Sequence, residues 1–394
     1  MRLALICTEL TTVPPIKGGA VQTHIAGILP YLSRVHETTV ICTEDKDLPV
    51  NEVREGVRYL RLPAPSAEGY LEHVCAAVAS ERFDLIHVFN RPAWLLRIGE
   101  AAPRSRIALR VHNDMFTPSK IGPDAAAAAI RRAGAIDTVS DFLTRRIADQ
   151  YPQARAKLRT LYTGVDLERF WPHWTAEGEA LRRQGRHDMG LGTDPVILFV
   201  GRLSSTKGPD ILLQAMPFVL QAFPRAVLLI VGSRWFGATE RTDYSKYLET
   251  LADPLGDRVR FTGYVPALEI ERVFAVADLF VCPSQWEEPL ARVQIEPMAA
   301  GLPIVTTPRG GNLEAVFEDV NGMIVHEYQE PEAFARLITG LLADPERRRR
   351  LGENGRRIAE GRFHWRRVAG EVLEMYDRIV YLGGINPLSK GRRL

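Results

Sequence analysis

Two glutamates eight positions apart, Glu288 and Glu296, stand in the segment WEEPLARVQIEPMAAG (Trp286–Gly301). An ionised carboxylate offers only acceptors, which suits the hydroxyls of a ribose or a sugar. The short apolar stretch between them reads as a loop entering a helix, and amides at a helix start favour phosphate oxygens. Paired carboxylates also serve glycoside hydrolysis, where they flank one bond from opposite faces. Here both come from one loop–helix unit and more naturally line one wall of one ligand. The plain alternative is two solvated acids near the favourable end of a helix dipole.

Other segments carry complementary chemistry. LFVGRLSSTKGPDILLQA places Arg202 and Lys207 five apart around a strand–loop–helix turn. A planar guanidinium and a mobile ammonium together suit a diphosphate. Gly18-Gly19 precedes a helix, a phosphate-facing turn in some proteins and a simple turn in most. His112 ends a strand at VHND, and carboxyl ends of parallel strands face the ligand crevice. A lone histidine is usually structural or solvated. The remaining histidines lack such companions and receive no function.

In order and over nearly the whole chain, these segments resemble the signatures of the retaining, GT-B-type glycosyltransferases of family 4. The E-x7-E pair is Glu288 and Glu296, and the GR-x4-KG clamp is Gly201-Arg202 with Lys207-Gly208. The wording of CTEL, HVFNRPAW, VHNDMF, TVSD and SQWEEPLARV is similar to the spore coat protein SA type. The resemblance implies a GT-B fold, two Rossmann-like doubly wound domains with a nucleotide-sugar site in the cleft between them. It implies a nucleoside diphosphate sugar donor, uridine favoured, a carbohydrate-type hydroxyl acceptor and retention at the anomeric carbon. No metal and no cofactor are expected.

Residue by residue, the resemblance assigns His112 and Glu288 to the transferred sugar as catalytic residues. Gly18 and Gly19 would cover the donor diphosphate, which Arg202 and Lys207 would clamp. Val265 would meet the nucleobase through its backbone. Leu290, Ala291, Arg292 and Val293 would contact the donor, and Glu296 would hold the ribose. Gly310-Gly311 resembles a turn lining the donor pocket. Two positions depart from the pattern. Glu288-Pro289-Leu290-Ala291 replaces the usual E-G-F-G, and Pro289 has no N–H to offer a donor hydroxyl. Pro297 follows Glu296 in place of alanine, which predicts a lost helical hydrogen bond and a kink.

The implied activity is transfer of a hexosyl unit to a hydroxyl acceptor in spore coat or cell-surface polysaccharide synthesis. The expected location is cytoplasmic, with spore coat association. Two rivals stay open. One is a nucleotide-sugar epimerase using the same diphosphate pocket; the other is a coat scaffold that keeps the fold without the reaction.

The elements that must position these residues follow from periodicity. Short apolar β-branched runs alternate with helical patterns, first from Leu3–Cys7 to Leu158–Tyr162, then from Val196–Val200 to Met323–Val325. Continuous apolar strands separated by helices argue for parallel sheets covered on both faces, and two series argue for two domains. The expected boundaries are 1–166 for the first domain, 167–194 for a linker and 195–362 for the second domain. A last helix over 363–382 would cross back to the first, and SKGRRL would fray.

Composition bounds the rest. A chain of 394 residues exceeds one ordinary core. A net charge of +2 gives no general attraction to nucleic acid or anionic membranes. No run approaches the roughly 20 apolar residues of a membrane span. Four scattered cysteines imply neither a disulfide framework nor a metal site. Oligomeric state is not legible.

Overall fold

The computed structural model describes residues 1–233 and 242–381. Leu382 and the SKGRRL tail therefore lie outside the described residues. The chain divides into two compact units. One comprises Met1–Pro15, Gly19–Thr163 and the chain from Trp365; the other comprises Ile16–Gly18 and Gly164–His364.

The first unit holds eight strands: β1 (Arg2–Ile6), β2 (Glu37–Thr43), β3 (Asn51–Arg54), β4 (Val57–Leu62), β5 (Leu85–Phe89), β6 (Arg106–Val111), β7 (Ala135–Thr138) and β8 (Leu158–Thr160). Their order is β3-β4-β2-β1-β5-β6-β7-β8. All pairs are parallel except β3 with β4. Alternate side chains of β1 enter different cores: Ala4 and Ile6 on one face, Leu3 and Leu5 on the other. A strand buried on both faces must be apolar throughout, which is why LALI reads as a run.

The helix Trp365–Tyr381 belongs to this unit. It buries Trp365, Val368, Ala369, Val372, Met375, Tyr376 and Ile379. It packs on the helix Ala20–Leu32, where a Cβ on Gly27 would lie 2.2 Å from the Trp365 indole. Only a glycine there admits the indole.

The second unit holds β9 (Val196–Val200), β10 (Val227–Val231), β11 (Val259–Gly263), β12 (Leu279–Cys282), β13 (Ile304–Thr306) and β14 (Gly322–Ile324). The order is β11-β10-β9-β12-β13-β14, all parallel. The strand sequence reverses between β9 and β12. In open α/β sheets, ligands bind beyond the carboxyl ends of the strands at such a switch point.

The segment 167–194 is no loose linker. Its helix Ala176–Asp188 braces the second unit through arginines. Arg186 is buried and donates to the carbonyls of Val276, Gly192 and Asp194, each at 3.0 Å, and to Asp278 at 2.7 Å. Arg182 adds a 2.5 Å bond to the same carboxylate. Burial alone would raise the Asp278 pKa; the two arginines outweigh it and hold the carboxyl below its ordinary value.

Candidate functional site

Two loops flank the switch point of the second unit, one after β9 and one after β12. Gly208 fixes their approach. It is left-handed (φ +70°), and a Cβ on it would lie 2.2 Å from the Pro283 carbonyl oxygen. Gln285 N–H donates to the Thr206 carbonyl at 2.9 Å, tying the loops together. The result brings Lys207 onto Glu288, residues 81 apart in sequence. Lys207 donates to Glu288 Oε1, which also accepts from the Ser284 hydroxyl at 2.7 Å. The Lys207 ammonium lies 5.6 Å from the centroid of the Trp286 ring, within cation–π range.

A third loop closes on Glu288. Gly311 N–H donates to the Glu288 carbonyl at 2.7 Å, and a Cβ on Gly310 (φ +59°) would sit 2.1 Å from that oxygen. The Gly310-Gly311 turn after β13 is thus moulded to the Glu288 backbone. Glycine is needed for both its handedness and the contact.

After Glu288 the chain makes a 3-10 turn, Arg292–Gln294, then a five-residue α-helix, Ile295–Ala299. Pro297 is the third residue of that helix and has no N–H for the Val293 carbonyl. Glu296 is buried and pairs with Arg292 at 2.8 Å. Burial raises the Glu296 pKa despite Arg292. Leu290 and Ala291 are buried, whereas Arg292 and Val293 are half-buried. Several buried polar atoms here have no hydrogen-bond partner: Trp286 Nε1, Arg292 Nε, Gln294 Oε1, Arg309 Nε and Asn312 Oδ1. These enclosed polar groups make the segment around Glu288 and Glu296 a polar wall rather than apolar packing.

Arg202 lies in the loop after β9 and is exposed. Its neighbour Gly201 meets the next loop closely: a Cβ on Gly232 would be 1.9 Å from the Gly201 carbonyl oxygen. Val265 follows β11, two strands from the switch point, and is half-buried. Gly18 falls in the second unit and Gly19 (φ +115°) in the first, where Gly19 begins the helix Ala20–Leu32.

His112 lies in the first unit at the carboxyl end of β6 and is buried. Asn90, left-handed at φ +58°, ends β5 and accepts from the backbone N–H groups of His112 (3.0 Å) and Asn113 (3.2 Å). Asparagine tolerates that handedness. Its role was missed in the sequence, where HVFNRPAW counted only as family wording. The His24 ring stands edge-on to His112, centroids 5.3 Å apart.

Comparison with known proteins fits this geometry. Residues 18–169 match the family described as Glycosyltransferase Family 4, and residues 183–358 match Glycosyl transferases group 1. Spore coat protein SA of Bacillus subtilis is 43% identical over 378 residues, 96% of this chain and 100% of that protein. The chain belongs to glycosyltransferase family 4. This glycosyltransferase is also 29% identical to a GDP-mannose-dependent phosphatidylinositol monomannoside mannosyltransferase of Mycolicibacterium smegmatis, over 92% of this chain and 95% of that one. The crystal structure of Anabaena Alr3699/HepE in complex with UDP matches it with a TM-score of 0.74 at 22% identity, covering 96% and 100% of the two chains. The glycosyltransferase has the GT-B fold, with its two parallel-sheet domains. Among its described residues no helix is long and apolar enough to cross a membrane.

Proposed function

We propose that this glycosyltransferase moves a hexosyl unit, with retention, from a nucleoside diphosphate sugar to the hydroxyl of a carbohydrate-type acceptor. The observation that carries the reading is the Lys207–Glu288–Ser284 cluster at the switch point of the second sheet, one loop away from the Arg292–Glu296 pair. In the reaction the bond between the anomeric carbon and the diphosphate oxygen breaks, and its electron pair stays with the diphosphate. The acceptor oxygen takes the anomeric carbon, and its proton passes to the departing diphosphate oxygen.

Charge develops on the β-phosphate. Arg202, Lys207 and the amides of Arg292 and Val293 stabilise it, preorganised electrostatics of the kind that often dominates catalysis. These groups supply the positive charge, so no metal is needed. Lys207 then exchanges part of its contact with Glu288 for phosphate. Glu288 and His112 serve the sugar, Glu296 the ribose hydroxyls, Gly18 and Gly19 the diphosphate, and the Val265 backbone the base. Leu290 and Ala291, the latter in place of the usual glycine, shape the sugar pocket. A role in spore coat or cell-surface polysaccharide synthesis draws its support from the Bacillus relative's name.

Uridine is the favoured base, and the UDP complex of the Anabaena protein supports it. The mannosyltransferase relative, named for GDP-mannose, supports guanosine instead. Calorimetry with UDP, GDP, ADP and TDP tests both the reading and the base. One nucleotide is expected to bind clearly better than the others. Binding of none, alone or as sugar conjugates, would overturn the donor site.

Glu296→Ala is expected to raise the donor KM more than it lowers kcat, because a ribose contact is made equally in ground and transition states. The raised Glu296 pKa adds a pH signature. The ionised carboxylate accepts ribose hydroxyls through both oxygens and with full charge, and the neutral acid only more weakly, so donor affinity falls as pH drops through that raised pKa. The loss begins above the ordinary glutamate range, and Glu296→Gln removes this limb from the affinity profile. An unchanged donor affinity in Glu296→Ala would sink the ribose assignment.

A further inference from the structure

Three adjacent parallel strands of the first unit each bury a polar side chain where an apolar one would pack: His87 on β5, Arg110 on β6 and Asp137 on β7. All three have 0% exposure. Arg110 and Asp137 are register partners and form an ion pair. His87 Nε2 lies 3.0 Å from the other side of the same carboxylate, and its Nδ1 lies 2.7 Å from the Tyr376 hydroxyl. Arg110 also donates to the Leu161 carbonyl at 2.9 Å and, through Nε, to His112 Nε2 at 3.1 Å.

The protons of this chain of contacts can be placed. An arginine has no acceptor and stays protonated, so His112 Nε2 must carry a lone pair. An ionised carboxylate only accepts, so His87 gives its Nε2 proton to Asp137. Burial pushes the Tyr376 phenol well above its ordinary pKa, so the hydroxyl keeps its proton, and it donates to His87 Nδ1 where His87 is the neutral Nε2–H tautomer. The Arg110 contact places the His112 proton by itself, and with His87 neutral the protons from Tyr376 to Asp137 each have one position as well. Burying an ion pair costs several kcal/mol of desolvation per charge, and apolar residues of similar size often serve stability as well. Stability alone therefore gives little reason for the arrangement.

We propose that Arg110 is a positioning residue that fixes His112 as the neutral Nδ1–H tautomer, with Asp137, His87 and Tyr376 holding the guanidinium in place. Any hydrogen bond that the His112 ring gives is then donated from Nδ1, and Nε2 is withheld from the reaction. His112 serves the transferred sugar as a fixed donor and does not act as a base through Nε2. This rests on the reading of His112 as a donor-sugar residue.

Nitrogen NMR of the full-length protein, with 15N-labelled histidine and no nucleotide present, reads the tautomer directly. His112, assigned by the loss of its signals in His112→Ala, is expected to show a pyridine-type Nε2 and a pyrrole-type Nδ1 at neutral pH. In Arg110→Lys the ammonium keeps the charge beside Asp137 but loses the planar fork that reaches three acceptors at once. The spectrum is expected to shift to a tautomer mixture, and kcat to fall about 10- to 100-fold with donor KM within about 3-fold. Should Arg110→Lys fail to fold, Arg110→Gln with Asp137→Asn removes both buried charges and carries the same expectation. A protonated Nε2 in the wild-type protein overturns the proposal. So does a variant that loses turnover while keeping the wild-type tautomer, or one that changes tautomer at full turnover. His112→Ala with normal kcat would instead refute the assignment of His112 to the sugar, whatever the tautomer.

Discussion

Replacing both Arg202 and Lys207 by alanine is expected to lower kcat by about 10³-fold or more, since loss of a single preorganised donor to developing charge costs about 10²–10³. The effect should fall on turnover more than on donor binding, because charge on the β-phosphate grows as the glycosidic bond breaks. Lys207 carries a second burden. Glu288 is only 3% exposed, and without Lys207 its carboxylate keeps, among the described residues, the Ser284 hydroxyl as its one side-chain partner. A buried charge left with one neutral partner destabilises its surroundings. Thermal melting reads the second effect apart from turnover: Lys207→Ala is expected to melt lower than wild type, and adding Glu288→Gln, which removes the stranded charge, to recover the loss. If circular dichroism shows a folded protein and turnover remains near normal in the Arg202/Lys207 double variant, the diphosphate clamp is misassigned.

Gly208→Ala should cost about 10²-fold in kcat/KM although glycine has no side chain to offer a ligand. A single added carbon would stand 2.2 Å from the Pro283 carbonyl oxygen, in a left-handed backbone that a side chain resists. The loops after β9 and β12 must separate to admit it, and they are what bring Lys207 to Glu288. A misplacement of about 1 Å at a reacting centre costs on the order of 10²-fold. Gly340→Ala is the matched control. Gly340 lies in the helix Pro331–Ala343, and an added Cβ meets nothing within 4 Å. That variant should keep full activity and gain about 1 kcal/mol of helix stability. Equal kinetics for the two alanine variants would show that loop apposition does not govern the site.

Much of the fold was legible because both sheets are mostly parallel and covered. Strands such as VILFV and VLLIV are apolar on both faces and leave no ambiguity of period. The strand that escaped is β3, NEVR, a mostly exposed edge paired antiparallel to β4. With little to bury, it had no apolar run to announce it. The residues of the second-unit wall were legible as types in a familiar order, but not the pairing of Lys207 with Glu288, which depends on two loops 81 residues apart. The buried polar chain had a signal that was passed over. LIHVF, RIALRV and AIDT each place one polar residue inside an apolar strand, and buried polar groups must find partners. Three such residues on successive strands point to one another.

The helix Trp365–Tyr381 has a consequence for how the protein is made. Tyr376 closes on His87 across 289 residues, and Trp365 fills the notch at Gly27, so the first unit is finished by a helix that is synthesised only after the second unit. Its sheet can form early, but the buried face waits for the whole second unit to be synthesised. A nascent or prematurely terminated chain then carries an open apolar surface and an unfinished histidine network. It is a substrate for chaperones and proteases rather than a partly active transferase. Completion of the unit that bears His112 therefore waits until the second unit has been made.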